Sequence, residues 1–329
     1  EADERRDGSE HDAGVYPSPR QGPCVARRAV PGSARNAQRP PLRATRLCPC
    51  TEIRTRHGAA APAPFDPVHR PDLARTRGHV ADFLAMNVLA LEAATSRLSA
   101  ALVTAWGTPR AALASRTAEA PRAAAERLLE MVSDLDGQTG CAPRELDLIA
   151  VDRGPGMFTG VRMALSTAQG IALGLGLPVA TVDALEALAL TAAARDPASA
   201  GSAVVPGHYL CLADARKGEL YAAAFTIPAG TVQSAVPERL VEDTLVTPEA
   251  VPALLPEIGP GHWFIAGAGA NVHARALAPL LAPLTPKILS GVTAPHAAAV
   301  AWLGARAHAQ GRSGPPERAL PVYLRSALA

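Results

Sequence analysis

A glycine-rich turn between an apolar run and a long alanine-rich segment constrains the fold of this 329-residue chain more than any other feature. The apolar run covers residues 146–151, the turn residues 153–162, and the small-residue segment residues 159–175. This order predicts a strand, a tight turn and a helix. Gly154 and Gly156 flank a proline and let the backbone adopt positive φ without a steric penalty. The turn can hold an anion at the helix start, or it can let helix and strand pack closely, which is the interpretation we favour.

Apolar periodicity predicts that strands and helices alternate from residue 86 onwards. Residues 86–196 have the order β-β-β-α-β-α-β-α, which describes one mixed α/β domain. Residues 197–329 are expected to form a second α/β domain with a hairpin around residues 214–219, although residues 228–262 contain several prolines and little periodicity. The predicted strands are 88–93, 98–106, 111–117, 147–151, 177–182, 209–213, 220–227 and 263–266, and the predicted helices are 122–138, 159–175, 184–194, 273–281 and 294–310.

Residues 1–85 differ in composition from the rest of the chain. They are rich in Pro, Arg, Ala and Gly and poor in large aliphatic residues, so they cannot bury enough apolar surface to fold. We expect a disordered arm, which could bind nucleic acid through its arginines, or a non-native extension with the natural start at Met86. The basic pI of about 8.4 comes from this segment, so it does not describe the folded part.

Histidine and cysteine spacing argues against a metal site or a disulfide framework. None of the nine histidines lies in the predicted helix 122–138, and none forms an i,i+4 pair on a helix. The five cysteines are odd in number, and Cys48 and Cys50 have no second pair to complete a zinc site. Cys211 lies in a predicted buried strand and is expected in the core. This cysteine usage fits a reducing cytoplasm best. No apolar run reaches the roughly 20 residues needed to span a bilayer.

Four short segments carry the motifs of one known family. They are residues 88–95 (VLALEAAT), 154–162 (GPGMFTGVR), 214–221 (DARKGELY) and 321–325 (PVYLR). In this order they resemble the opening strand, the signature turn, the second-domain hairpin and the C-terminal end of the TsaB (YeaZ-like) family. Met157 stands where the signature usually has Ser. The motif residues are Gly154, Pro155, Gly156, Phe158, Thr159, Gly160 and Arg162.

The resemblance implies a fold of the actin, sugar-kinase and Hsp70 type, with two related α/β domains and mixed sheets. It also implies a non-catalytic subunit for threonylcarbamoyl modification of the adenosine beside the tRNA anticodon. In that family the chemistry belongs to a paralogue, TsaD, and a small ATPase, TsaE, joins the assembly. The implied partners are a TsaD-like paralogue, a TsaE-like ATPase, a second copy of the chain, and tRNA through the complex. No cofactor is assigned to the chain itself, and ATP or ADP is expected only at the level of the complex.

The first two helices are the expected partner interface, because TsaB proteins pair through them. In the second helix, small residues recur every four positions and allow close helix packing. Apolar residues on more than one of its faces call for burial on both sides. The expected interface residues are Leu128, Met131, Leu135, Phe158, Arg162, Leu165, Ala168 and Ala172.

Two enzymatic alternatives from the same superfamily stay open, an ATP-dependent small-molecule kinase and a metallopeptidase-like protein. Gly267, Gly269 and Asn271 resemble an adenosine-contacting turn, although a close helix–strand junction would have the same sequence. The first turn, residues 92–95, has no glycine to approach a phosphate, and Glu92 replaces the usual Asp. Asp152 and Arg153 follow a buried strand, where α/β folds often place function, so they are further candidates for contact with a ligand or partner.

Overall fold

The computed structural model describes residues 85–119, 124–199, 201–255 and 261–325. All of these belong to one compact unit, residues 62–329. Except for its last residue, the extension predicted for residues 1–85 lies outside the described residues. Two five-stranded mixed sheets form the framework of the described part. No helix in these ranges is long and apolar enough to cross a membrane.

The first sheet combines an antiparallel meander with parallel strands in the order β3-β2-β1-β4-β5. Strands β1, β2 and β3 are antiparallel neighbours, whereas β4 and β5 continue the sheet in parallel with β1. Every residue of β4 is buried, as expected for a central parallel strand covered on both faces. The strands are β1 (Met86–Glu92), β2 (Arg97–Trp106), β3 (Ala112–Glu119), β4 (Leu148–Asp152) and β5 (Val179–Val182).

Helices cover both faces of the first sheet. Helices α1 (Ala124–Thr139) and α2 (Phe158–Leu175) pack on one face, α1 against β2 and α2 against β4. The other face is covered by the last helix, α6 (Ala297–Ala309), which contacts β1, β2, β4 and β5. A Cβ placed on Gly304 of α6 would lie 2.4 Å from that of Ala150, so glycine permits this close approach.

The second sheet has the order β10-β8-β7-β11-β12, with α3 (Ala184–Ala193) packed on β7 and β8. Helix α3 also contacts α6, and side chains of both sheets belong to the core around these two helices. A boundary at residue 196 would therefore place each sheet in its own domain, but it would assign α3 and α6 to the domain opposite the sheet that each one covers. The boundary remains a proposal. The other elements are β6 (Ala203–Val204), β7 (Gly207–Arg216), β8 (Glu219–Ile227), β9 (Gly230–Thr231), β10 (Glu238–Val246), β11 (Trp263–Ala266), α4 (Ala268–Val272), α5 (Ala274–Leu281) and β12 (Lys287–Ile288).

Two parts of the second half differ from the sequence-based expectation. Strand β10 lies inside residues 228–262, where little periodicity was visible. Exposed and half-buried positions alternate in the first part of this strand. The half-buried positions include Arg239 and Asp243, so the sequence does not show the alternation of apolar and polar residues that predicts a strand. The helix predicted for residues 273–281 is preceded by the separate short helix α4, and α5 begins after His273.

Candidate functional site

The glycine-rich turn packs tightly against the turn between β1 and β2. A Cβ on Gly156 would lie 2.4 Å from the carbonyl oxygen of Ala94, and one on Gly160 would lie 2.0 Å from that of Ala93. The backbone N–H of Met157, the N-cap residue of α2, donates to the carbonyl of Ala94 at 2.6 Å. These glycines are therefore required for close packing, as the second interpretation of the motif proposed.

Two carboxyl side chains are fully buried beneath this turn. Glu92 ends β1 and Asp152 ends β4, and the parallel register pairs the residues just before them, Leu91 with Val151. Glu92 accepts hydrogen bonds from the N–H of Ala94 and from the hydroxyl of Ser99. Asp152 Oδ1 accepts from the N–H of Gly154 at 2.6 Å, which holds the start of the turn. Asp152 Oδ2 has no hydrogen-bond partner among the described residues.

Burial of this carboxyl pair favours the protonated forms. Desolvation raises the pKa of Asp152 to about 7. The hydrogen bond from the Gly154 N–H lowers this pKa, whereas the charges of Asp183 and Asp243 raise it further. Desolvation also raises the pKa of Glu92 well above its usual value, and the nearby charge of Asp152 adds to that rise. The hydroxyl of Ser99 accepts from the N–H of Ala297, which connects the pair to the start of α6.

Arg153 belongs to an ion-pair network between the two halves of the chain. Its Nε lies 2.7 Å from an oxygen of Asp183, whose other oxygen lies 2.8 Å from Arg239 of β10. Arg239 also pairs with Asp243, and its guanidinium lies 4.8 Å from the ring centroid of Phe225. The structure thus places Asp152 inside the core and Arg153 in an internal ion pair, so both have roles that need no ligand.

An open cleft of about 630 Å³ lies between the start of α2, the β7–β8 hairpin and the C-terminal segment, residues 320–325. Three arginines and three aromatic side chains line it, whereas Asp214 is its only acidic lining residue in the described part of the chain. Arg325 pairs with Glu219 and donates to the carbonyl of Ala215, which fixes the C-terminal segment to the hairpin. The arginines and aromatics of the cleft are Phe158, Arg162, Arg216, Tyr221, Tyr323 and Arg325.

The glycine turn at residues 267–271 is a close junction between β11 and α4. A Cβ on Gly267 would lie 2.1 Å from the carbonyl oxygen of Leu212, and one on Gly269 would lie 2.4 Å from the Cδ2 of Leu220. The side chain of Asn271 donates to the carbonyl of Ser290 at 3.0 Å. Packing accounts for all three residues, so contact with a nucleotide is not needed to explain them.

Six of the eight residues expected at a partner interface are buried against the chain's own first sheet. Their side chains are not on the surface, because they supply the apolar stripes that hold α1 and α2 to β2 and β4. The other two, Phe158 and Arg162, are exposed at the mouth of the cleft. The six buried residues are Leu128, Met131, Leu135, Leu165, Ala168 and Ala172.

An apolar groove between α1 and α2 is the surface that the sequence did not reveal. It has a volume of about 350 Å³ and includes Val132, Ile171 and Gly170 in its lining. Leu129, which is 52% exposed, also lines it, and Leu173 of α2 is 76% exposed. The available signal was on α1, where Leu129 lies off the stripe of Leu128, Met131 and Leu135 that faces the sheet.

Helix α1, as the structure bounds it at Ala124–Thr139, contains no histidine. Within the described ranges, no group of three or more His, Cys, Asp or Glu residues is arranged to hold a metal ion. Cys211 is fully buried in β7, and burial raises the pKa of its thiol far above the usual value. The thiol of Cys211 therefore lies in the core, as the sequence predicted.

Two mixed sheets enclosing shared helices define this chain as an α/β protein of the actin, sugar-kinase and Hsp70 type. It is 30% identical to the tRNA threonylcarbamoyladenosine biosynthesis protein TsaB of Escherichia coli, over 74% of this chain and 96% of that protein. The solved structure of YeaZ from Pseudomonas aeruginosa matches with a TM-score of 0.60 and 32% identity, over 73% of this chain and all of that one. The chain belongs to the TsaB (YeaZ-like) family.

Relatives with a transferase name match shorter parts of the chain. Residues 117–257 match the family model described as TsaD, tRNA N6-adenosine threonylcarbamoyltransferase. The tRNA N6-adenosine threonylcarbamoyltransferase of Maricaulis maris is 44% identical over 78 residues, which are 24% of this chain and 21% of that protein. The chain is therefore also similar, over part of its length, to the transferases.

Proposed function

We propose that this chain is a non-catalytic subunit in the biosynthesis of threonylcarbamoyladenosine in tRNA, and that it acts by pairing with a TsaD-like transferase. Its family membership supports the pathway. The observation that carries the pairing is the apolar groove between α1 and α2. A TsaE-like ATPase would join this pair, tRNA would be the substrate of the assembly, and the site of action would be the cytoplasm.

The groove has the properties of a surface that a partner covers. Its lining is almost entirely apolar and includes the exposed Leu129, and an exposed apolar patch of this kind is typical of interaction sites. Gly170 and Gly174 lie on the same outer face of α2, and a Cβ on either would meet no described atom within 4 Å outside its own helix backbone. Each glycine weakens the helix by about 1 kcal/mol relative to alanine. Since packing within the chain does not require them, close approach by a partner helix is the better explanation.

The arrangement of the acidic groups supports the absence of a catalytic role. Glu92 and Asp152 lie at strand ends where a kinase of this fold would place acidic groups, yet both are fully buried. Neither is among the described residues that line the cleft. The burial of these two groups therefore supports a non-catalytic role over the kinase-like and metallopeptidase-like alternatives.

Reconstitution with the transferase tests this function. The isolated chain should transfer no threonylcarbamoyl group to tRNA, and its addition to a TsaD-like paralogue with a TsaE-like ATPase should restore transfer. Substantial transfer by the chain alone would refute the proposal.

A charged substitution in the groove tests the interface. Leu129→Glu should abolish co-elution with the paralogue on size exclusion and reduce transfer at least tenfold, because Leu129 lines the groove and a charge cannot be buried without a partner. Val272→Glu is the matched control, since Val272 is an exposed apolar residue on α4. Unchanged co-elution of the Leu129 variant would move the interface to another surface. Sedimentation of both variants without the paralogue shows whether the groove also supports self-association.

A further inference from the structure

An exposed cluster of aromatic and cationic side chains lies at the mouth of the cleft. Phe158 is 55% exposed and Tyr323 is 46% exposed, and their ring centroids are 5.4 Å apart. The guanidinium of Arg162 lies 3.9 Å from the centroid of Phe158, and its Nε donates to the hydroxyl of Tyr323. The apolar groove already proposed as the partner interface does not include these three residues, which we call the rim cluster.

The charge around the rim cluster is positive. Asp214 and Glu219 are paired with Arg216 and Arg325, respectively. Arg162 and Lys217 form no ion pair with a described carboxylate. Because the hydrogen bond of Arg162 uses Nε, its terminal nitrogens remain able to donate to a phosphate. Arg162 of α2 and Arg216 of the β7–β8 hairpin line opposite walls of the cleft, so each wall carries an arginine. Arg216 is paired with Asp214, and Lys217 follows it in the hairpin turn.

We propose that the rim cluster binds unpaired nucleotides of RNA directly. Exposed aromatic rings and guanidinium planes stack on bases, and cations along a groove contact the phosphates that follow. Paired bases would not present their faces to the rings, so the partner is a single-stranded segment such as a tRNA loop. Cations on two walls fit a strand with several phosphates. This proposal rests on the proposed function, since it gives the chain a contact of its own with the RNA substrate.

Fluorescence anisotropy with the full chain tests this contact. The probes are a labelled RNA hairpin with an unpaired loop and the blunt duplex of the same stem. Phe158→Leu should weaken hairpin binding roughly tenfold, as expected for loss of one base stack, without changing the salt dependence. Arg162→Ala should also weaken binding, and the slope of log Kd against log salt should decrease by about 0.7, the value for one phosphate contact on a single strand.

The matched control is Arg110→Ala, which removes the same charge at the opposite end of the first sheet, in the turn between β2 and β3. It should bind the hairpin as the unchanged chain does, and the arginines of residues 1–85 are common to all variants. Equal binding by all variants, or equal losses on hairpin and duplex, would overturn the proposal. Displacement of the hairpin by AMP at the same affinity would also overturn it, because the site would then be one for free nucleotides.

Co-elution with the TsaD-like paralogue separates this proposal from the proposed function. Phe158→Leu should retain co-elution, because Phe158 lies outside the groove. Loss of co-elution in this variant would assign the rim cluster to the protein partner and refute RNA binding there. Unchanged RNA binding with intact co-elution would refute only the RNA contact and leave the proposed function in place.

Discussion

At the scale of single residues, Asp152 shows how a strand-end carboxylate becomes part of the core. Burial raises its pKa to about 7, from 3.8 in the unfolded chain. The contribution of this raised pKa to stability is fully present below the unfolded value, declines as pH rises from about 3.8, and is lost once pH passes about 7. At 1.36 kcal/mol per pKa unit, the loss is on the order of 4 kcal/mol. The charges of Asp183 and Asp243 oppose ionisation of this group, and its own charge opposes ionisation of Glu92.

Asp152→Asn should therefore flatten the pH dependence of stability. The amide imitates the protonated acid, so the variant should match the unchanged chain near pH 3.5, become the more stable of the two as pH rises, and differ most near pH 8. Urea unfolding across this range measures the difference. Asp134→Asn on the exposed side of α1 is the control and should follow the unchanged chain at every pH. A variant that is less stable at pH 8 would show that the fold favours the ionised carboxylate, which contradicts a raised pKa for Asp152.

At the scale of elements, helix α2 shows which parts of the structure a sequence can predict. Its position after β4 could be predicted, because a glycine-rich turn joins an apolar run to a helical segment. The side of α2 that faces the sheet could not be predicted, since Leu165 is buried and Leu173 exposed in an almost uniformly apolar helix. Strand β10 was missed for the related reason that Arg239 is half-buried in an ion-pair network that only the fold assembles.

The glycines of α2 allow a matched test within one helix. Gly160→Ala should destabilise the chain by about 1–3 kcal/mol, because its Cβ would overlap the carbonyl oxygen of Ala93. Gly170→Ala should stabilise the isolated chain by about 0.5–1 kcal/mol, because its Cβ meets open space. The same Gly170 variant should bind the TsaD-like paralogue more weakly. Thermal unfolding measures the stability of both variants, and a binding titration measures the affinity of the Gly170 variant for the paralogue. A stabilising Gly160→Ala or a destabilising Gly170→Ala would contradict the packing described for α2.

At the scale of the whole molecule, the two sheets depend on helices from distant parts of the chain. Ten of the 13 residues of α6 are buried, and they cover the first sheet although they follow the second sheet in sequence. Helix α3 is encoded beside the first sheet and packs on the second. Neither half can therefore complete its core from its own residues. We therefore expect that the chain can be divided near residue 196, but that neither part folds alone.

Fragments provide the test at this scale. Residues 86–196 alone should remain unfolded, because loss of α6 exposes the apolar face formed by Val88, Ala90 and Ala150. Residues 197–329 alone should fail in the same way without α3. Mixing the two fragments should restore helical circular dichroism and one cooperative transition in urea, because each fragment supplies the helix that the other lacks. Cooperative unfolding of residues 86–196 alone would show that α6 is dispensable and that the first sheet forms an autonomous domain.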